Sequence, residues 1–417
     1  MHIRDFITSI LIMSSGTFAL FYAETMMGKA LSPEIYGDYR VVMTVVILLG
    51  QLLLFGLDYI IIKHMPRLLR SENHGNAKFF LTSIAKFIFY IFVAWEIFAL
   101  LVNQSVHNLM FDRILYDSIH PAYFYLACAG IFAFYTFALK TLRALSYKVL
   151  YAILYYTASW ILVGFLLVMP ITLNNAVLGT MASFLVVTIF AFGVIFLFFM
   201  NVSSRRFIFP ENILKDAFHF TAQQIFSFQS TGILLILMEV LPIPEGTIGV
   251  FSATVMIANL SFIITNSMKN VFLEPIVNAM HGEKRQLEKV LHKVSIIATI
   301  SILLVGILLY FFTPALLHLY GIKFNAVKHF ILFALIANIP GAVVTGEIMF
   351  INYFNEHTNK IFTYLVIFKL LLAVGVGTVL INYFDLYGAM VAYIIVEFIF
   401  AVTVLRFRQI VLKKIDN

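Results

Sequence analysis

Long apolar runs separated by short polar connections fill the chain from end to end. Twelve of them reach the roughly 20 residues that a helix needs to cross a hydrocarbon core: 6–30, 41–62, 79–102, 120–142, 149–169, 176–200, 218–241, 247–272, 293–313, 329–353, 361–383 and 387–405. The runs are continuous and not alternating, which predicts helices and argues against a transmembrane β-barrel. The first run follows only MHIRD and exceeds the roughly 7–15-residue apolar core of a cleaved signal peptide, so Phe6 to Ala30 is expected to stay as a first span. Between runs, Gly282 to Lys293 puts Leu287, Val290 and Leu291 on one face and its charges on the other, the pattern of a helix lying in the membrane surface. Pro340-Gly341 interrupts the run 329–353, where a proline removes a helical hydrogen bond and permits a kink.

A pattern near the start recurs half a chain later. Ser32 to Tyr39 (SPEIYGDY) feeds an apolar run with Gly56-Leu57-Asp58 near its far end. Pro244-Glu245 precede Ile248-Gly249-Val250-Phe251, another apolar run follows, and Glu274-Pro275 lies near its end. Gly37 and Gly249 are 212 positions apart, as are Lys148 and Lys360, in a chain of 417 residues. This spacing proposes a duplication, with six-helix bundles at 1–205 and 206–417. Six spans is an even number, so both halves insert in the same orientation, as parallel repeats with a substrate path between them.

Composition sharpens the class. The chain is 62% hydrophobic and 12% charged, with mean hydropathy +0.96, where a soluble chain carries about a quarter charged residues. The 44 Phe and 20 Tyr suit lipid-facing helices with interfacial anchors. The expected class is an all-α membrane protein. With the N-terminus taken as cytoplasmic, 21 basic residues fall on inner segments and 5 on outer ones, while Lys86 and Lys369 lie within spans and complete the 28. That asymmetry predicts a multi-pass protein of the cytoplasmic membrane with both termini inside. It also assigns the net charge of +7 to lipid headgroups and not to nucleic acid. The single cysteine, Cys128, excludes an intrachain disulfide, and no Cys/His cluster suggests zinc. No cofactor is expected.

The chain resembles the polysaccharide exporters, or Wzx-type flippases, of the superfamily that also holds the MATE exporters and lipid II flippases. The residues that carry the resemblance are Leu31-Ser32-Pro33-Glu34-x-Tyr36-Gly37-x-Tyr39, Gly56-Leu57-Asp58, and Lys63-x-x-Pro66-Arg67. In the second half they are Ile248-Gly249-Val250-Phe251-Ser252-Ala253, Leu273-x-Pro275, Glu283-Lys284-Arg285-Gln286-Leu287, Leu319-Tyr320-Gly321, Asn355-x-x-Thr358-Asn359-Lys360 and Asp385-Leu386-Tyr387-Gly388-Ala389. Their order and spacing cover nearly the whole chain. The resemblance implies two six-helix bundles around a central cavity, the MATE-like fold, and movement of a lipid-linked oligosaccharide between leaflets by alternating access. Members often carry an acid in the seventh span. Here Ser230-Thr231-Gly232 stand in that region, with no acid before Glu239.

Ionisable residues inside hydrocarbon cost about 2.5–3.5 kcal/mol at mid-helix and face partners or water. At about 1.5 Å per residue, Lys86 lies some 12 Å and Lys369 some 13–14 Å beyond the nearest loop. Both are candidates to attract a diphosphate headgroup in the cavity; the alternative is snorkelling. Glu24, Asp58 and Glu397 are candidates for a coupling proton or sodium ion, or else form structural pairs, Asp58 with the nearby Lys63. In the seventh span His219, Gln223 and Ser230 share one helical face, and Gln224 adds to its polarity. With Gln51, Asn259 and Asn338 they form the expected substrate surface, or else a buried interhelical seam. Lys140 and Arg143 at an inner helix end are set for topology or for the phosphate of an incoming lipid.

The function expected is a flippase for an isoprenoid-diphosphate-linked oligosaccharide in surface polysaccharide synthesis, such as an O-antigen or other lipopolysaccharide unit, and not an enzyme. The connections leave no room for a soluble catalytic domain, and polymerases usually present a large outer loop. The alternative is an antiporter for small cationic drugs, which is expected to have an acidic cavity.

Overall fold

The computed structural model describes residues 3–70, 73–101, 122–205, 213–226, 230–241, 243–262, 284–321, 324–353 and 356–414, with a few single positions between them. Among the described residues there are fourteen helices and no strand. They are α1 (Ile3–Ala30), α2 (Pro33–Leu54), α3 (Leu57–Arg70), α4 (His74–Leu101), α5 (Ala122–Ala144), α6 (Lys148–Val168) and α7 (Leu173–Phe199). The rest are α8 (Ile213–Phe226), α9 (Ser230–Val240), α10 (Glu245–Asn259), α11 (Lys284–Tyr320), α12 (Val327–Val343), α13 (Thr345–Tyr353) and α14 (Glu356–Lys414). Each of the twelve predicted runs falls on at least one of them. Seven helices are individually long and apolar enough to span, and the pair α12/α13, bent by 47°, makes an eighth. The chain is a multi-pass membrane protein.

The helices form two compact units. One comprises residues 39–225 and the other residues 1–38 with 226–417, so α2 begins in the second and continues in the first. This packing division differs from the expected bundles at 1–205 and 206–417. Residues 3–38 pack with the later helices, and residues 213–225 with the earlier ones.

In the 39–225 unit, α5 lies against α3, α4, α6 and α7, and Ile60, Met65, Phe80, Phe137 and Leu142 are fully buried in its core. Local sequence sets the helix ends. Thr172 caps α7 by accepting from the Asn175 backbone N–H at 3.3 Å, and Pro170 follows the extended Met169 that ends α6. The predicted span 41–62 is not one helix. It starts earlier, at Pro33, and breaks where Phe55 and Gly56 both take positive φ, 47° and 66°. The break lets α8 approach, because a Cβ on Gly56 would strike the Ala217 carbonyl oxygen and come within 2.8 Å of the Thr221 backbone nitrogen. Lys63 then pairs with Asp216 at 2.5 Å, and Tyr59 stacks on Phe220 with centroids 5.3 Å apart.

In the other unit α1 packs on α10 and α11, and α12 packs on α10, α11 and α14. The predicted surface helix at 282–293 continues without interruption into the next span as the 37-residue α11, with Leu287 and Leu291 buried. Pro340 does not mark the bend. Helix α12 runs through it to Val343, and the turn comes at Val344, whose N–H reaches back to the Pro340 carbonyl at 3.3 Å. Helix α14 holds two predicted spans. Asp385 takes φ 48° there, and a Cβ on Gly388 would collide with the Leu380 carbonyl. Eight residues of straight helix separate atoms by about 12 Å, so that closeness shows the chain doubling back.

The two turn glycines that match across the repeat meet. A Cβ on Gly249 would collide with the Pro33 carbonyl, and one on Gly37 would lie 3.0 Å from the Gly249 backbone nitrogen. Only bare backbone allows α2 and α10 to cross this closely.

Candidate functional site

A connected polar cluster lies in the 1–38/226–417 unit. Helix α14 presents Tyr393 and Glu397 four residues apart, hence on one face, and Lys369 from its first arm. Ser230 begins α9, and Asn338 sits two residues before Pro340 in α12. The Lys369 ammonium lies 2.7 Å from Glu397 Oε1 and 2.9 Å from Oε2, and the Ser230 hydroxyl donates to Oε1 at 2.7 Å. The Phe400 ring centroid is 4.7 Å from Lys369 Nζ, a cation–π contact. Both charged side chains are mostly buried, 17% and 12% exposed.

One turn away the network continues. The Tyr393 hydroxyl donates to Asn338 Oδ1 at 2.7 Å. Asn338 Nδ2 donates to the Ala258 carbonyl at 3.1 Å and to Ser261 Oγ at 3.2 Å. Asn338 thus makes three of the four bonds an amide offers, and it ties α12, α14 and the end of α10 together. A buried network satisfied to this extent holds its members in one arrangement.

The other predicted residues scatter. Glu24 is buried and accepts from Tyr36 at 2.7 Å. Asp58 is fully buried and pairs with Lys140 at 3.9 Å, not with Lys63. Lys140 Nζ also lies 4.0 Å from the Tyr59 ring centroid. That lysine, read from the sequence as set for topology or for the phosphate of an incoming lipid, has partners within its own unit. Arg143 lies over Tyr151 at 5.7 Å. Lys86 is exposed, among the exposed Phe87, Phe89 and Tyr90. Gln51 and Asn259 are half-buried, each with a side-chain oxygen that has no hydrogen-bond partner among the described residues; His219 Nδ1 has none among them either. The face joining His219, Gln223 and Ser230 presumed one helix. His219 lies on α8 and Ser230 on α9, and residues 227–229, which would join the two into one face, lie outside the described residues. The side chains of Gln223 and Gln224 lie outside the described residues.

Sequence reasoning passed over one cluster. Glu347, in the first turn of α13, is buried. It accepts from Ser295 at 2.7 Å and from Arg408 at 3.2 Å, joining α11, α13 and α14. The available signal was an acid placed just past the Pro340-Gly341 interruption, where a new helix start receives it.

Outside the spans, His64 on α3 has its pKa held below 6.5. Burial is the largest cause, then the Lys63 and Arg67 charges, with Asp216 opposing. The unfolded chain therefore binds more protons than the native one in the interval below pH 6.5, and stability is lost as pH falls through it. Thermal midpoints of purified protein between pH 5.5 and 7.5 are expected to fall on the acid side, and to fall less in His64→Gln. Equal slopes in both proteins would refute the assignment.

No protein-family model and no curated protein matches this sequence. Solved structures do. An inward-facing multidrug-resistance MATE family transporter of the MOP superfamily is similar at TM-score 0.72 and 17% identity, over 98% of this chain and 99% of that one. An outward-facing one is similar at TM-score 0.67 and 19% identity, over 99% and 95%. A MOP superfamily transporter from Pyrococcus furiosus, described as having a binding pocket of reversed polarity that suggests a different function, is similar at TM-score 0.66 and 17% identity, over 99% and 96%. The chain has the fold of these proteins.

Proposed function

We propose that the chain is a membrane transporter that moves an isoprenoid-diphosphate-linked oligosaccharide between leaflets by alternating access. The observation that carries this reading is the state of the intramembrane charges, within a fold whose solved examples are described as inward- and outward-facing. An exporter of cations needs a carboxylate left over to receive its substrate. Glu24, Asp58, Glu347 and Glu397 already have hydroxyl or basic partners. Lys86 is exposed and has no acidic partner among the described residues. The Pyrococcus furiosus neighbour with the reversed pocket polarity supports a fold that serves substrates of opposite charge.

In this reading the diphosphate replaces Glu397 as the partner of Lys369, and the freed carboxylate takes the coupling proton or sodium ion. Glu24 and Asp58 remain further coupling candidates. The amides and hydroxyls, Gln51, Asn259, Asn338 and Ser230 among them, bind sugar hydroxyls. No bond is cleaved, and the isoprenoid tail stays in lipid. Both termini face the cytoplasm.

One observation favours the antiporter for organic cations. Glu96, five residues from the end of α4 at Leu101, has Oε1 buried without a hydrogen bond among the described residues. Proteoliposomes separate the two. A fluorescent polyprenyl-diphosphate oligosaccharide is expected to become protected from an external quencher only in vesicles holding the protein. Transport of an organic cation with no protection of the lipid-linked sugar would replace the flippase with the antiporter.

A further inference from the structure

A crevice of about 440 Å³ opens on the 1–38/226–417 unit, between the end of α11 and the start of α12. Its polar lining is Tyr310, Thr313, Lys328 and His329, and among the described residues no carboxylate lines it. Lys328 and His329 are exposed, at the first turn of the 17-residue α12, where the helix dipole adds positive potential. Pro314, also in the lining, has no N–H to donate to the Tyr310 carbonyl one turn back.

The crevice continues along the two helices as an apolar groove of about 200 Å³, sharing Tyr310, Phe311 and Leu332 with it. Gly306 forms the floor. A Cβ there would reach only Leu335, at 3.8 Å, so a missing side chain opens the groove beside Ile302 and Ile339. From Ile302 to Tyr310 the groove runs about 12 Å along α11. Its walls belong to helices that face hydrocarbon.

We propose that this feature binds one anionic phospholipid, its phosphate at Lys328 and His329 and one acyl chain in the groove. The two parts do different work. A chain that leaves bilayer hydrocarbon for an apolar groove gains little, so the groove sets position and the cations set headgroup preference. The distribution of basic residues assigns this end of α11 to the outer side. The site is independent of the transport substrate.

Native mass spectrometry of the purified protein in mixed micelles tests this, with phosphatidylglycerol and phosphatidylcholine as probes. Phosphatidylglycerol is expected to be retained over phosphatidylcholine, and Lys328→Gln/His329→Gln to cut that preference about fivefold, the effect of roughly one near-membrane charge. Lys289→Gln/Lys293→Gln, at the other end of α11, is expected to leave it unchanged. Gly306→Leu is expected to lower retention of both lipids while the preference survives. An unchanged preference in the first variant, an equal loss in the second, undiminished retention in Gly306→Leu, or full displacement of the lipid by inorganic phosphate would each overturn the proposal.

Discussion

Replacing Lys369 with alanine is expected to destabilise the protein by about 3 kcal/mol and, under the proposed function, to stop transport. The lost ammonium leaves Glu397 with Ser230 as its described partner, a mostly buried carboxylate without a counter-charge. Glu397→Gln removes the charge but keeps a hydrogen-bonding head, and it leaves Lys369 against the Phe400 ring. Its expected cost is smaller, about 1–2 kcal/mol. The exchange Lys369→Glu/Glu397→Lys separates stability from transport. It restores an ion pair in the same place, so most of the stability returns, while under the proposed function the substrate's phosphate meets a carboxylate on the first arm of α14. Denaturation of purified protein reads the first quantity and protection of the fluorescent lipid-linked sugar the second. A swapped variant that transports at the original rate would show that the pair only joins helices.

The second large effect is at Gly249. Leucine there would place its Cβ on the Pro33 carbonyl, and the obstacle is backbone, which does not swing aside as a side chain does. The start of α2 must lift from α10, and the buried Tyr36 moves with it, away from Glu24 and from the Tyr320 and Phe324 rings it meets edge-on. The expected loss is about 3 kcal/mol or more, in the range of overpacked cores. The milder Gly249→Ala is expected to fall in the same direction. Gly164→Ala, where an added Cβ meets nothing within 4 Å, is the control and is expected to be neutral or slightly stabilising. Equal midpoints for all three variants would remove the crossing from the account of stability.

Hydrophobic runs are legible because each helix declares its own apolarity, and the twelve runs correspond to helices for that reason. The interruptions are less legible. Phe55-Gly56 breaks a run at the place where α8 packs, and that contact is encoded some 160 residues away, at Ala217 and Thr221. Val344 takes the bend that Pro340 advertises because the helix can lose one hydrogen bond and continue for a turn. Charge pairs depend on how helices are rotated, which depth alone does not give. Lys369 and Glu397 carried a readable sign, since each lies nine residues from its nearest connection and opposite charges at one depth invite pairing. Asp58 misled, because the nearer Lys63 reaches Asp216 and the more distant Lys140 reaches Asp58. The duplication was proposed from a spacing of 212, and Gly37 and Gly249, the pair that set it, lie against each other.

The assignment of residues 1–38 to the later helices has a consequence for biosynthesis. Translation at about 5–20 residues per second delivers α1 roughly 10–40 s before its partners, because the 187 residues 39–225 are made first. Through that wait α1 stands in the bilayer without α10 and α11. Its buried acid, Glu24, has its hydroxyl donor only twelve residues ahead in Tyr36, so the newborn hairpin satisfies that carboxylate before the rest of its unit leaves the ribosome.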